Sequence, residues 1–339
     1  MAGEGGDEVD EVTEAVNCRH LERSEGPGSS CVNGRSIAGS FAALRMTAFF
    51  MLLLVVGCGD RSTADAVWAG GGRGAGELVY PRAIDYDAQS DTFIVIDRTA
   101  RVQRYDADGK FINGWRMPEW ERGKPVGVSF GPDGNVWIAD THYHRVMVYT
   151  PAGELVKQFG ERGSGPGDFE LPTDVAFDKA GRVYVGEYGG NDRVQVFDQS
   201  GEYLFQFGGF GSEPGQFSRP QALVFVGDEL FITDSCNHRI EVYSADGKYL
   251  RSIGKSGSAP GQFRFPYGLF LDREGTLIVT EYGNTRIQRL DTAGKTLAFW
   301  GTPGRLPGEL AYPWATVADK RGRCVVIDAG NARMQVFRW

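Results

Sequence analysis

Residues 255–301 read KSGSAPGQFRFPYGLFLDREGTLIVTEYGNTRIQRLDTAGKTLAFWG, and from about Ala66 onward the chain is this passage written six times. Two landmarks fix the alignment. A proline opens each unit, at Pro81, Pro125, Pro172, Pro220, Pro266 and Pro313. An arginine follows 19 to 21 positions later, at Arg101, Arg145, Arg193, Arg239, Arg286 and Arg333. The period is 44 to 48 residues, and its variation falls in turns, where extra residues cost little. In the fifth copy Tyr267–Leu271, Leu277–Thr280, Ile287–Leu290 and Thr296–Trp300 are short apolar, β-branched or aromatic runs. DREG, EYGNT and DTAG separate them, with Gly, Asp and Asn where turns need them. No run has the period of a long amphipathic helix. Four antiparallel strands repeated about every 46 residues predict an all-β, six-bladed β-propeller.

The motifs also carry a family resemblance. The string G-x-G-x-x-P-G-Q-F-x-x-P, then D-x-x-G, then D/E-x-x-N-x-R-I-x-V, then D-x-x-G resembles the NHL repeat. Gly209–Ile253 and Lys255–Gly301 match it best, with Asn237-His238-Arg239-Ile240 and Asn284-Thr285-Arg286-Ile287 at the diagnostic turn. The resemblance covers the region after residue 65. It is specific for fold and weak for activity, since such propellers include binding proteins and enzymes.

A propeller has to join its last blade to its first, or two sheet edges stay open. In complete units the arginine is followed 14 positions later by Trp115, Phe159, Phe207, Ile253 or Trp300, on the outermost strand. The sixth unit ends at Trp339, six positions after Arg333. Val67-Trp68 stands 13 positions before Pro81, the offset that separates Trp300 from Pro313. The segment Ala66–Ala69 is therefore expected to supply the fourth strand of the last blade, and 66–339 to form one domain.

The N-terminal part reads differently. Residues 1–45 are polar and aperiodic, an expected disordered or untranslated segment. Residues 46–58 carry an apolar run ending Val55-Val56-Gly57-Cys58, too short to span a bilayer but suited to a secretory signal. Its end resembles a bacterial lipobox with Cys58 as the lipidated residue, and 59–65 would be a polar tether. Export to a bacterial cell envelope, lipid-anchored at the periplasmic or cell surface, with translation starting near Leu44 or Met46, follows from that reading. The alternative is an ordinary signal peptide or a chance apolar run. Cys236 and Cys324 belong to non-adjacent units, which argues against a disulfide between them.

The formal charge is −8, and the first 57 residues hold eight acidic and four basic side chains, so their removal leaves −4. With no evident Lys/Arg cluster, this argues against nucleic acid as a partner. The sequence leaves the oligomeric state open.

Strand order puts the turn between second and third strands on the same face as the links between blades, where loops are free to carry function. Each unit places one acid there: Asp97, Asp140, Glu187, Asp234, Glu281 and Asp328. Six carboxylates around a funnel suit Ca²⁺, but each unit also supplies an arginine, and an Arg–carboxylate brace is self-sufficient. Departures from the repeat add His142, Tyr143 and His144 in the second unit, Tyr188 in the third, His238 in the fourth and Tyr282 in the fifth. Zn²⁺ needs three or four converging ligands, for which His142, His144 and His238 are the histidine candidates; exposed turn histidines are the plainer reading. Tyr143, Tyr188, Tyr282, Trp120 and Trp314 are candidates for an aromatic binding rim, against the alternative that they pack between blades. Trp120 lies in RMPEWERGK, the one link without the Gly-Pro-Gly pattern.

No G-x-S-x-G elbow, H-E-x-x-H motif or spaced Cys–His pair appears. The leading expectation is a binding module for a protein, peptide or glycan. The resemblance also implies an alternative, a metal-dependent enzyme like the peptidyl-hydroxyglycine amidating lyase or the calcium-dependent lactonases, with its site at the channel mouth. A passive scaffold within an envelope complex is a third.

Overall fold

A computed structural model describes residues 62–121 and 124–339. The lipobox reading, Cys58 and the segments before it lie outside the described residues. The rest is built from six four-stranded antiparallel sheets, as the repeat predicts: residues 81–116, 127–159, 171–208, 220–253 and 266–300, and a sixth completed from the N-terminal side. In the fifth blade the four expected runs are the strands Pro266–Leu271, Leu277–Glu281, Arg286–Leu290 and Thr296–Trp300.

The sixth blade orders its strands Pro313–Ala318, Cys324–Asp328, Arg333–Phe337 and then Ala66–Trp68. Trp68 sits opposite Met334. The equivalent pairs elsewhere are Trp115 with Val102, Phe159 with Val146, Phe207 with Val194, Ile253 with Ile240 and Trp300 with Ile287. The offset counted in the sequence is thus the pairing register. Residues 62–65, expected as the end of a tether, are held to the ring instead. Gly301 N–H donates to Ser62 Oγ (2.9 Å), Trp300 Nε1 to the Thr63 carbonyl (3.1 Å) and Asp65 N–H to the Val336 carbonyl (2.7 Å).

Blades splay outward, so the gap between them widens with radius and large rings fill it. Trp115 lies on Tyr149 (5.6 Å between centroids), Phe159 on Phe197 (5.1 Å), Phe207 on Tyr243 (4.7 Å) and Trp300 flat on Phe337 (4.0 Å). Trp68 closes the circle against Phe93 (5.7 Å). Such pairs contribute about 0.5–1.5 kcal/mol beyond the area they bury.

The Gly-Pro links have a structural purpose. Each folds back on itself through a parallel bridge, such as Phe210 with Phe217 or Ser256 with Phe263, and drives its last apolar residue into the core. Leu78, Phe169, Phe217, Phe263 and Leu310 are all fully buried. Gly254 precedes one such plug at φ 84°, and a β-carbon there would lie 2.2 Å from the Phe263 ring, so only glycine fits.

Each repeated arginine ties its own blade to the incoming link. Arg239 Nε donates to Asp234 Oδ2 (2.9 Å) while its Nη atoms donate to the carbonyls of Ser212, Glu213 and Gln216 (each 2.9 Å). The other oxygen of Asp234 accepts from Ser218 N–H (2.7 Å). Two residues beyond the arginine, Gln103, Gln195, Gln288 and Gln335 accept from a link glycine N–H at 2.9 Å. Blade 2 departs: Arg145 pairs with Asp140 and with Glu119 of its irregular link.

Candidate functional site

On the face where the links enter, each innermost strand begins beside the ring axis. The residue before the opening proline is in the left-handed region in four blades: Tyr80 (φ 49°), Arg219 (63°), Phe265 (46°) and Tyr312 (50°). Proline disfavours the right-handed helical region for the residue before it, but a bulky residue at positive φ still stores strain of about 1–3 kcal/mol. The surrounding turns impose the conformation. The carbonyls of Tyr80, Arg219 and Phe265 accept from the N–H of Arg98, Ser235 and Tyr282 at 3.2, 3.2 and 3.0 Å. Asp192 Oδ1 accepts from Arg219 N–H (2.6 Å), and His238 Nδ1 accepts from Phe265 N–H (3.1 Å).

The residue after the proline is offset in turn. Strand register slips between Pro81 and Ala83, Pro220 and Leu223, Pro266 and Gly268, and Pro313 and Thr316. Such bulges re-aim a side chain, here toward the axis. Arg82, Val126, Gln221, Tyr267 and Trp314 line a cavity of about 520 Å³ that runs between all six innermost strands.

These two layers form an aromatic and cationic mouth. Tyr267 stacks on Tyr282 (4.8 Å), Tyr282 on Tyr312 (5.3 Å), and Trp314 meets Tyr267 edge-on at 5.0 Å. The Arg82 guanidinium lies 5.0 Å from the Trp314 ring, and that of Arg219 lies 4.9 Å from Tyr188 and 5.5 Å from Tyr267. Such contacts stabilise a cation more when water is excluded. Burial, followed by the like charges of Arg219 and Arg98 against partial relief from Tyr188, lowers Arg82 to about 10. Arg82 therefore stays charged at neutral pH. The Tyr80 hydroxyl is hydrogen-bonded to that of Tyr282; burial raises both phenols, Tyr282 to about 12, so both stay protonated.

Deeper in the channel the innermost strands turn an unpaired backbone edge to the axis, and side chains of neighbouring blades satisfy part of it. Asp85 Oδ2 accepts from Phe130 N–H (2.7 Å), Asp174 Oδ2 from Leu223 N–H (2.9 Å), and Ser129 Oγ donates to the Val175 carbonyl (2.6 Å). Burial raises Asp85 to about 6 and Asp174 to about 7, against the pull of these amides.

The structure sorts the residues singled out from sequence. The six acids are 0–2 % exposed, and each accepts from the arginine of its own blade. Among the described residues no group of three or more His, Cys, Asp or Glu side chains converges as a metal site. Tyr188, Tyr282 and Trp314 do meet at the mouth. His144 and His238 share the position before the arginine, which is left-handed in all six blades (φ 41° to 57°), and both reach the next blade. His238 holds the Phe265 amide and meets its ring at 4.6 Å; His144 Nδ1 contacts the Glu170 carbonyl. His142 is half-buried in the short turn Thr141–Tyr143. Tyr143 lies under Arg145 (5.2 Å) and Trp120, 40 % exposed, under Arg116 (4.4 Å). Cys324 is buried and free. Sequence reasoning missed Tyr80, Arg82, Arg219, Gln221, Tyr267 and Tyr312. Their signal was position: they flank the repeat's proline and differ from blade to blade.

Residues 123–149 match the NHL repeat family, and residues 216–295 match a family described as 6-bladed beta-propeller. Among solved structures, a streptogramin B lyase is 14 % identical and superposes with a TM-score of 0.58, covering 80 % of this chain and 96 % of its own. A catalytically inactive virginiamycin B lyase from Staphylococcus aureus, with quinupristin, is 17 % identical (TM-score 0.53; 82 % and 85 %). A protein of unknown function from Bacteroides thetaiotaomicron is 18 % identical (TM-score 0.60; 82 % and 73 %). At these identities the likeness is one of fold.

Proposed function

We propose that this six-bladed propeller is a binding module that takes a peptide segment of a partner at the axial mouth built by Tyr80, Arg82, Arg219, Tyr267, Tyr282 and Trp314. One observation carries the reading: four bulky residues held at positive φ ring the open end of a channel lined by every blade. Backbone strain of this kind gathers where a site is preorganised. A peptide is favoured over a glycan because the rings are already engaged by arginines and by one another. A sugar stacks on an open aromatic face, and of the cluster Tyr312, at 52 % exposed, comes nearest to offering one. An enzymatic reading rests on no particular residue described above. The lipid anchor at Cys58, with export, belongs to this proposal on the strength of the sequence, and metabolic labelling of wild-type and Cys58→Ala chains with a radioactive fatty acid tests it.

The test of the site is selection of random peptides on the immobilised chain. Enriched peptides should lose about tenfold in affinity with Tyr312→Ala, the size of an interface hot spot. They should be unaffected by Leu204→Ala on the exposed side of an outer strand. Absence of enrichment, or peptides indifferent to Tyr312 and Tyr282, would remove the assignment.

A further inference from the structure

We infer that the channel beneath the mouth takes the free amino terminus of the bound peptide, its ammonium group on Asp174 above Asp85 and its first carbonyl on the Gln221 amide. The inference rests on the reading of the mouth as a peptide-binding site and names the end of the peptide that enters. Its first support is a pair of uncompensated carboxylates. Asp85 and Asp174 both line the axial cavity. Burial raises both above the usual carboxylate range, and the amides of Phe130 and Leu223 pull them only part of the way back. Among the described residues the one charge that acts on each is a like charge, Asp87 on Asp85 and Asp85 on Asp174. Buried charges are paired as a rule, and here the missing cation is left for a ligand to bring.

The second support is Gln221. This side chain is 5 % exposed, lines the same cavity, and its amide nitrogen has no acceptor among the described residues. A buried donor left unmade is costly, and a native structure keeps one where a bound group completes it. Gln221 also sits close to the acids. Asp174 Oδ2 accepts from the N–H of Leu223, two residues further along the strand that carries Gln221 (2.9 Å). Gln221 follows its opening proline by one position, Asp174 by two and Asp85 by four, so the three stand at successive depths from the mouth. The order inward is donor, carboxylate, carboxylate. The first residue of a peptide carries the complement, a carbonyl oxygen and beyond it an ammonium, with the rest of the chain leaving through the mouth. A lysine side chain has the ammonium without a carbonyl beside it. Ca²⁺ takes six or more oxygen ligands, and among the described residues no third acidic side chain joins the pair.

The experiment is calorimetric titration of the full chain at pH 7 with tetraglycine amide and with its N-acetylated counterpart. The free amine should bind about tenfold more tightly, the effect of one hydrogen bond to a charged group. Asp174→Asn keeps an oxygen for the Leu223 amide and should abolish the difference between the two peptides. Gln221→Leu, close in size, should weaken the free-amine peptide about fivefold, with the melting temperature held or raised. Equal affinity of the wild type for the two peptides, no measurable binding of either, or a preference that survives Asp174→Asn overturns the inference. An N-acetylated Gly-Lys-Gly-Gly amide that binds as tightly as tetraglycine amide also overturns it, assigning the acids to a side-chain ammonium. Displacement of tetraglycine amide by calcium chloride, but not by sodium chloride of equal ionic strength, overturns it in favour of a metal ion. If peptide selection yields sequences that depend on Tyr312 and bind as well after N-acetylation, the amino-terminal inference fails and the binding site stands.

Discussion

At the scale of single residues the fold depends on arginines that are both counter-charge and clamp. Arg193 pairs with the fully buried Glu187 (2.5 Å) and donates to the carbonyls of Ser164, Gly165 and Asp168. Arg193→Met should lower stability by about 3–5 kcal/mol, because it strands a buried carboxylate as well as breaking a pair. Urea unfolding measures the loss, and adding Glu187→Gln should recover a good part of it. The spacing of acid and arginine was legible in the sequence. Its purpose was not, since a ring of carboxylates reads equally as a cation funnel until distances show each one engaged within its own blade. The mouth was less legible still. Nothing in the letters Tyr80-Pro81-Arg82 or Arg219-Pro220-Gln221 announces positive φ at a bulky residue, because that conformation is imposed by groups far away in sequence, such as the amide of Ser235. His238 shows the converse. It stood out as a candidate ligand, and its Nδ1 holds a backbone amide of the next blade.

At the scale of elements the decisive piece is three residues long. Ala66–Trp68 covers the edge of Arg333–Phe337, and Trp68 lies between the last blade and the first, under the Arg323 guanidinium (5.4 Å) and against Phe93. Because Trp68 is only half-buried, Trp68→Ala should cost about 2 kcal/mol, below the range for a fully buried tryptophan. Deleting residues 62–69 should do something different in kind. It bares a strand edge, so the chain should self-associate, and gel filtration with light scattering would show dimers or larger species. A monomeric truncated chain of unchanged stability would contradict the seam. This closure was readable from spacing alone because a propeller's strand offsets repeat.

At the scale of the whole ring the channel sets a pH response. Asp85 and Asp174 are raised by burial to about 6 and about 7, above the value of about 4 they have in an unfolded chain. The native state therefore holds protons that the unfolded chain has released. Their contribution is fully present below about pH 4 and is lost as pH climbs through 6 and 7. Asp174→Asn keeps an oxygen for the Leu223 amide and removes the titration. Its stability relative to wild type should therefore rise between pH 5 and pH 8, read from urea midpoints at each pH. A constant difference would mean that Asp174 keeps its ordinary acidity. Asp174 does break the repeat, standing two positions after its proline where the other units hold Ala83, Gly127, Ala222, Gly268 or Ala315, but the sequence does not tell that this position reaches the amide of Leu223 in the next blade.

The clasp between the two ends also dictates an order of assembly. Five blades draw on contiguous sequence, and each can be completed soon after its own 40-odd residues are available. The sixth waits for partners as distant as Asp65 and Arg338, 273 positions apart. Contacts of such long range repay their entropic cost last, so the final event in folding is a buckle fastening, with the earliest-made strand kept in reserve for the latest.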